Sequence, residues 1–326
     1  MPQRLNLLQD WLQNLMGINS PQLVAITNDA SFRRYFRLTV NNTSYVVMDA
    51  PPDKENCSPF IDVAQRLQAS GLNAPRILES NLEQGFLLLT DLGSSVYLPA
   101  LTKARVESLY CEALDALVRM QTHISSEGLP LYDHQLLHKE MNLFSDWLLD
   151  KHLNLPLSPP KRANLENCFE LLSTSALSQP QVFVHRDYHS RNLMVVPQHN
   201  PGILDFQDAV KGPITYDLVS LLRDCYIMWS REQIHGWMEY YYTKIQPLRI
   251  LKSVNQIQFL RWFDWMGIQR HLKASGIFAR LYHRDGKSGY LKDIPRTLNY
   301  IVEVSADYPE LATLHQLVIE VQQALA

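Results

Sequence analysis

The chain has 326 residues, with 30 Lys+Arg against 33 Asp+Glu, a formal charge of −3, and 46% hydrophobic residues. That length suits one large domain or two lobes, and that composition can bury a core, which excludes a disordered chain. There is no basic excess to suit nucleic acid and no acidic tail, and twelve glycines are too few for collagen-like or glycine-heavy β-helical architectures. The four cysteines at 57, 111, 168 and 225 form no C-x-x-C pair, so they read as reduced core thiols in a cytoplasmic protein. The opening MPQRLNLLQDWLQNLM is interrupted by Asp10 and does not read as a signal peptide, and no apolar run reaches the length of a membrane span.

Residues 4–16 space Leu5, Leu8, Leu12 and Leu15 as one helix face. Residues 22–50 change to strand chemistry, with FRRYFRLTV and SYVVMDA joined by a turn at Asn41-Asn42-Thr43. SPFIDVAQRLQASG predicts a helix with Ser58 as cap, Pro59 in its first turn and Gly71 as its stop, burying Phe60, Val63, Ala64 and Leu67. PRILES and GFLLLT are two more strands. After residue 93 the texture is helical. Helices are expected at 103–123, 135–152, 160–175, 214–229, 231–244, 254–275 and 308–325, interrupted by the short β runs QVFV, LMVV and GILDF. Ser230 with Gln233 and Ser253 with Gln256 read as capping boxes. The expected fold class is α+β: residues 1–92 form a small antiparallel β-sheet lobe, and 93–326 a larger, mainly helical lobe. A cleft between two such lobes is a common ligand site.

The strongest chemical signal is VFVHRDYHSRNLMVV followed by GILDFQD. His185-Arg186-Asp187 follows an apolar strand, Asn192 opens the next, and Asp205 ends a third. This matches H-R-D-x-x-x-x-N with a downstream metal aspartate, the layout of protein-kinase-like phosphotransferases. In that chemistry Asp187 receives or orients a hydroxyl proton, while Asn192 and Asp205 offer oxygen ligands to Mg²⁺ on the phosphates of ATP. His185 and His189 have the i, i+4 spacing of a helical zinc pair, but a strand–loop–strand context opposes that reading. Gly286-Lys287-Ser288 imitates the end of a P-loop, yet Leu281 stands where its first glycine belongs.

HRDYHSRN with LDFQDAVKGPITYDLVSLLRD resembles the aminoglycoside phosphotransferase-like family of kinase folds, in which a Gly-Pro and an Asp-Leu helix start follow the metal residue, here Gly212, Pro213, Asp217 and Leu218. NDASFRRYFRL, VVMDAPP and QRHLKASGIFARLYHRDGKSGYL are similar to one branch, the anomeric kinases for N-acetylmuramate and N-acetylglucosamine of peptidoglycan recycling. The resemblance implies a two-lobed protein-kinase-like fold and ATP and Mg²⁺ as cofactors. It implies an amino-sugar acceptor and a cytoplasmic enzyme expected to act as a monomer, with no nucleic-acid or membrane partner. It also implies nucleotide contacts at Ser31, Phe32, Arg33 and Arg37 and at the lobe connector Thr90, Asp91 and Leu92. Asp187, His189, Arg191, Asp224, Arg270 and Lys273 would face the acceptor.

Two features depart from a protein kinase. No GxGxxG precedes the first hairpin, where Asn28-Asp29-Ala30-Ser31-Phe32 stands instead, and Met48 occupies the neighbourhood of the usual strand lysine. Period-2 alternation puts Arg33, Tyr35 and Arg37 on one face, so Arg33 or Arg37 is expected to supply the missing charge. No αC-type glutamate is evident. On the acceptor side, residues 253–300 hold eight Arg/Lys against Asp264, Asp285 and Asp293, a local charge of +5. That stripe suits an acidic sugar rather than a polycationic antibiotic. Trp262, Phe263 and Trp265 are candidates to stack on a sugar ring. Three readings follow: an ATP-dependent sugar 1-kinase, an aminoglycoside- or choline-type kinase, and a non-catalytic nucleotide-binding regulator.

Overall fold

The computed structural model describes residues 2–26, 32–248, 250–251 and 254–325. Its first lobe is a five-stranded antiparallel sheet in the order β1-β2-β3-β5-β4. The strands are β1 (Leu23–Ile26), β2 (Arg34–Val40), β3 (Thr43–Asp49), β4 (Ile77–Asn81) and β5 (Phe86–Thr90). Asn41 and Asn42 both take positive φ, 49° and 62°, which is what a two-residue hairpin turn needs to match the twist of its strands. The sheet is covered on both faces. Helix α1 (Pro2–Met16) sets Leu8 and Leu12 on Phe36, Leu38, Val47, Phe86 and Leu88. Helix α2 (Ser58–Ala69) sets Phe60, Val63, Ala64 and Leu67 on the face carrying Met48, Leu87 and Leu89. Burial on both faces explains why β5 is a continuous apolar run instead of an alternating one. Arg4 and Arg34 both pair with the fully buried Asp49, tying α1 to the sheet.

Ser58 is the first residue of α2 and not its cap. Cys57 holds the cap position, and Asn56 accepts from the Ser58 N–H instead. Gly71 stops the helix at φ 71° while Leu72 donates back to the Leu67 carbonyl, the expected left-handed ending.

The second lobe begins with α3 (Tyr97–Ala100) and α4 (Val106–His123). The helix expected at 135–152 is α5 (His134–Leu143) running into a π-helical stretch, Phe144–His152, and α6 (Pro159–Leu177) follows. The switch occurs where α9 (Gln256–Asp285) crosses. A Cβ on Gly276 would lie 2.2 Å from the Leu143 carbonyl carbon, so this crossing requires glycine. Two small ladders pair β6 (Gln181–Val184) with β9 (Val210–Pro213), and β7 (Leu193–Met194) with β8 (Gly202–Ile203). β9 went unanticipated.

The helix expected at 214–229 is only α7 (Tyr216–Leu222), because the Arg223 backbone leaves the helix and Asp224 is used elsewhere. Helices α8 (Arg231–Ile245), α10 (Ile294–Ser305) and α11 (Ala312–Leu325) complete the lobe, and α10 too went unanticipated. The Ser230–Gln233 capping box is present. The box expected at Ser253 falls outside the described residues; α9 is capped by Asn255, whose side chain accepts from the Gln258 N–H. Gly286 is the left-handed end of α9, which disposes of the P-loop imitation. Cys57, Cys168 and Cys225 are buried free thiols and Cys111 is half-buried. No described helix is long and apolar enough to cross a membrane.

Candidate active site

The loop after β6 carries Asp187, and its shape is held from behind. Arg186 takes φ 77°, and the carboxylate of Asp217, buried at the start of α7, accepts from the N–H groups of His185 (2.7 Å) and Arg186 (2.9 Å). Two backbone donors on one carboxylate offset the strain of a left-handed arginine. Burial pushes the Asp217 carboxyl up to about 7 against those donors. His185 is fully buried, which lowers it to about 4, so its neutral Nδ1 accepts from the Asp187 N–H (3.2 Å).

Asp187, Asn192 and Asp205 converge. Asn192 Nδ2 donates to the Asp187 carbonyl (3.1 Å) and to Asp205 Oδ2 (3.3 Å), and the Leu204 N–H donates to the Asn192 carbonyl (2.9 Å). Asp205 has φ 61°, and Gln207 Nε2 donates to its Oδ1 (2.9 Å). Phe206 stacks on Phe60 at 4.8 Å and so joins this loop to α2 of the first lobe. Burial pushes the Asp187 carboxyl up, but Lys273, His189, Arg270 and Arg186 outweigh it, and the net shift is down. An ionised Asp187 orients a hydroxyl well; a base poised near neutrality would sit higher.

Asp187 shares a cleft with His189, Tyr216, Cys225, Tyr226, Arg270, Lys273 and Phe278. Arg270 and Lys273, one turn apart on α9, thus reach the same space as Asp187. Arg270 is 6% exposed, its Nη1 lies 3.5 Å from Cys225 Sγ, and its Nε is buried without a hydrogen bond. Lys273 Nζ pairs with Glu140 Oε1 (3.0 Å) and donates to the Tyr216 hydroxyl (2.9 Å). Glu140 also accepts from Arg186 and from the Tyr132 hydroxyl. Burial raises the Glu140 carboxyl, but Lys273 and Arg186 outweigh it and hold it below its ordinary value. Arg191 stacks over Tyr226 (4.2 Å) and Tyr290 (5.6 Å), and His189 meets Tyr226 edge-on.

Asp224 sits differently from the expectation that it faces the acceptor. It is 1% exposed and its carboxylate already accepts from the Ser190 N–H (3.0 Å), the Ser190 hydroxyl and the Tyr226 N–H (2.9 Å), so it supports the loop. Trp262, Phe263 and Trp265 are all core residues; the aromatic groups at the cleft are Tyr216, Tyr226 and Phe278. Part of the basic stripe is outward ion pairing, with Arg261 on Glu310 and Arg284 on Asp285.

Across the cleft, Arg37 is committed to the connector. Its Nε and Nη2 grip Asp91 (2.6 and 3.1 Å), and Nη2 also donates to the Gly93 carbonyl (2.9 Å). Asp91 further accepts from the Ser44 hydroxyl and the Gly93 N–H. The Asp91 side chain is therefore structural, and Arg37 fits poorly as a phosphate-binding cation. Arg33 instead pairs with Glu55 at 3.0 Å, both mostly buried, just ahead of α2. Arg33 thus has an acidic partner close to the start of α2. Thr90 is bonded to Arg76 on both its N–H and its hydroxyl oxygen. Leu92 is half-buried and Phe32 exposed, whereas Ser31 and the loop from Asn28 lie outside the described residues.

Sequence reasoning missed Glu140 and Glu55. Glu140 does leave a trace, as an acid on the buried stripe of α5 between Leu137 and Met141, where an unpaired charge would be costly.

Residues 22–251 match the phosphotransferase enzyme family. The chain is 46% identical over 302 residues to an N-acetylmuramate/N-acetylglucosamine kinase of Pseudomonas aeruginosa, covering 93% of this chain and 89% of the relative. It is 42% identical to a protein of the same name from Neisseria meningitidis, covering 96% and 94%. The fold is similar to that of choline kinase LicA from Streptococcus pneumoniae, with TM-score 0.63 and 12% identity over 91% of this chain and 98% of that one. ADP-bound aminoglycoside phosphotransferase APH(2'')-Ib gives 0.59 and 15% over 90% and 97%. Matched over residues 22–251 and 42–46% identical to these kinases over most of its length, the chain belongs to the phosphotransferase enzyme family.

Proposed function

We propose that this phosphotransferase transfers the γ-phosphoryl group of ATP to the anomeric hydroxyl of N-acetylmuramate or N-acetylglucosamine, giving the sugar 1-phosphate. The observation that carries the reading is the near full-length kinship to the N-acetylmuramate/N-acetylglucosamine kinases. The cleft chemistry supports it. Two buried cations, Arg270 and Lys273, stand beside Asp187, which suits an uncharged or acidic sugar and opposes an ammonium-bearing acceptor.

Asp187 would hold the acceptor hydroxyl by accepting its hydrogen, staying ionised because of its cationic neighbours. Arg33, oriented by Glu55, would offset phosphate charge in place of the missing strand lysine. The connector backbone around Asp91 and Leu92 would meet the adenine. Asn192 and Asp205 fit a hard divalent cation: the two side chains are neighbours, Asn192 Nδ2 donating to Asp205 Oδ2 at 3.3 Å, and between them they carry an amide oxygen and a carboxylate. When bound, Mg²⁺ there neutralises charge on the nucleotide phosphates. His189 and Arg191 would line the sugar side of the cleft, and Asp224 would hold the loop beneath them. The protein would act in the cytoplasm as a single chain of two lobes, divided after residue 92.

The test is a product assay with ATP, Mg²⁺ and a panel of both sugars, kanamycin and choline. Sugar 1-phosphate is the expected product. Turnover of kanamycin or choline with neither sugar phosphorylated would overturn the reading.

A further inference from the structure

A second cluster lies on the outer face of the helical lobe. His134 and His138 occupy i and i+4 positions on α5, so their imidazoles sit one above the other, with ring centroids 4.2 Å apart. Both reach the same atom of α6. Glu170 Oε2 is 2.8 Å from His134 Nε2 and 3.4 Å from His138 Nε2, and the three ligand atoms all lie within 4.8 Å of one another. Phe169, buried beside Glu170, meets the His138 ring edge-on at 6.2 Å and limits its swing. The Nε2 of His138 is inaccessible to solvent and has no hydrogen bond, although the side chain as a whole is 20% exposed. A buried ring nitrogen without a partner needs an explanation.

A hydrogen-bonded His–Glu pair alone accounts for His134 but leaves the second imidazole aimed at the same oxygen without a bond. A metal ion accounts for both. Metal–ligand bonds of about 2.0–2.2 Å in a tetrahedral set place ligand atoms roughly 3.3 Å apart, near the 2.8 and 3.4 Å found here. Two imidazoles and one carboxylate suit zinc among the divalent ions; Mg²⁺ and Ca²⁺ prefer oxygen donors. Three protein ligands leave the fourth position to water on the exposed side.

We propose that His134, His138 and Glu170 form a binding site for a zinc-class divalent ion that staples α5 to α6. The site is separate from Asn192 and Asp205, and it stands whether or not the sugar kinase reading does. Its place in the fold gives it a consequence. α5 also carries Glu140, the acid that partners Arg186 and Lys273, so an ion on the outer face restrains the helix that supports the acceptor wall.

The experiment is calorimetric titration of Zn²⁺ into chelator-stripped full-length protein held in excess Mg²⁺, alongside His134→Ala/His138→Ala and Glu170→Gln. The wild type is expected to bind one Zn²⁺ that both variants bind at least about 10- to 100-fold more weakly, the loss already seen when only an outer-shell partner is removed. Zn²⁺ should raise the melting temperature of the wild type and not of the double variant. Equal melting temperatures without metal will show that the variants fold. The same Zn²⁺ isotherm for wild type and either variant would overturn the site.

Discussion

Glu140 Oε1 lies 3.0 Å from Lys273 Nζ, and the same carboxylate receives Arg186 of the catalytic loop. One buried acid therefore holds a cation from α9 and a cation from the loop that carries Asp187. Removing it takes away the anion that both cations bond, leaving only Asp187 near them, and breaking a buried pair costs about 3–5 kcal/mol. Glu140→Ala should lower unfolding stability by that order in urea titration. A change below about 1 kcal/mol would show that the two cations reach solvent or find another partner.

Asp187→Asn keeps the shape and removes the charge. A positioned acid–base group is worth about 10²–10⁴-fold. Turnover should fall by that factor while the nucleotide dissociation constant changes little. Near wild-type turnover would remove Asp187 from the reaction.

Arg270 presents a buried Nε with no hydrogen bond beside the acceptor cleft. A charge-assisted hydrogen bond to an acceptor carboxylate is worth about 1.5–3 kcal/mol, roughly 10- to 150-fold in binding. Arg270→Ala should raise KM for N-acetylmuramate by about that much and leave N-acetylglucosamine, which lacks the carboxylate, nearly unchanged. Equal losses for both sugars would make Arg270 a ring contact or a structural residue.

The two arginines of the sheet should separate cleanly. Arg33→Ala should raise KM for ATP, since its partner Glu55 presents it near α2. Arg37→Ala should act mainly on stability, because Arg37 braces Asp91 and Gly93. Steady-state kinetics with melting curves on both variants will tell; a raised KM for ATP only in Arg37→Ala would reverse the assignment.

Burial lowers His185 to about 4 and His271, which donates to the Arg223 carbonyl, to about 3, against 6.5 in the unfolded chain. Both are buried neutral, so the unfolded chain takes up protons first as pH falls. Their contribution is full above 6.5 and is lost as pH falls through 6.5 toward 4 for His185 and 3 for His271. Each group costs about 1.4 kcal/mol per pH unit, about 4 kcal/mol for the two between about pH 7 and pH 5, while Asp217, raised to about 7, takes up its proton in the folded chain first and offsets about 2 kcal/mol, so stability should fall by about 2 kcal/mol. The depressed carboxyls of Asp187, Glu140 and Asp91 start from ordinary values of 3.8, 4.5 and 3.8 and act only below this window. Urea titrations across the range check it. His271→Gln should bring the fall close to zero, and an unchanged slope would remove His271 as a source.

Local chemistry was the readable part of the chain. The Asn41-Asn42 turn, the apolar stripe of α2 and the catalytic loop are each contained in a few consecutive residues. The spacing of Asp187, Asn192 and Asp205 needs only two short strands to bring them together. Arg270 and Lys273 were legible as one face of a helix. What stayed hidden depends on partners distant in sequence. Nothing near Glu140 announces Lys273, and nothing near Asp224 announces Ser190. The end of α7 is set by that second contact rather than by a breaker, which is why the helix was drawn too long. Trp262, Phe263 and Trp265 misled because α9 is enclosed on nearly every side, so its aromatic residues serve the interior.

The brace between Arg37 and the connector moors one end of the passage between the lobes. Asp91 and the Gly93 carbonyl are fastened to the sheet. A few residues later the Ser95 carbonyl accepts from the Val195 N–H (2.7 Å), and the Leu98 N–H donates to the Ser190 carbonyl (3.0 Å), fastening the chain to the catalytic loop. Between these moorings lie Gly93, at φ 90°, and Ser94, both exposed. That short span is one tie among several: Arg66 on α2 donates to the Ser125 and Glu127 carbonyls, and Phe60 meets Phe206, so the lobes are also held along α2. A nucleotide held by the connector would thus rest on a segment fastened at one end to the sheet and at the other to the loop that carries Asp187.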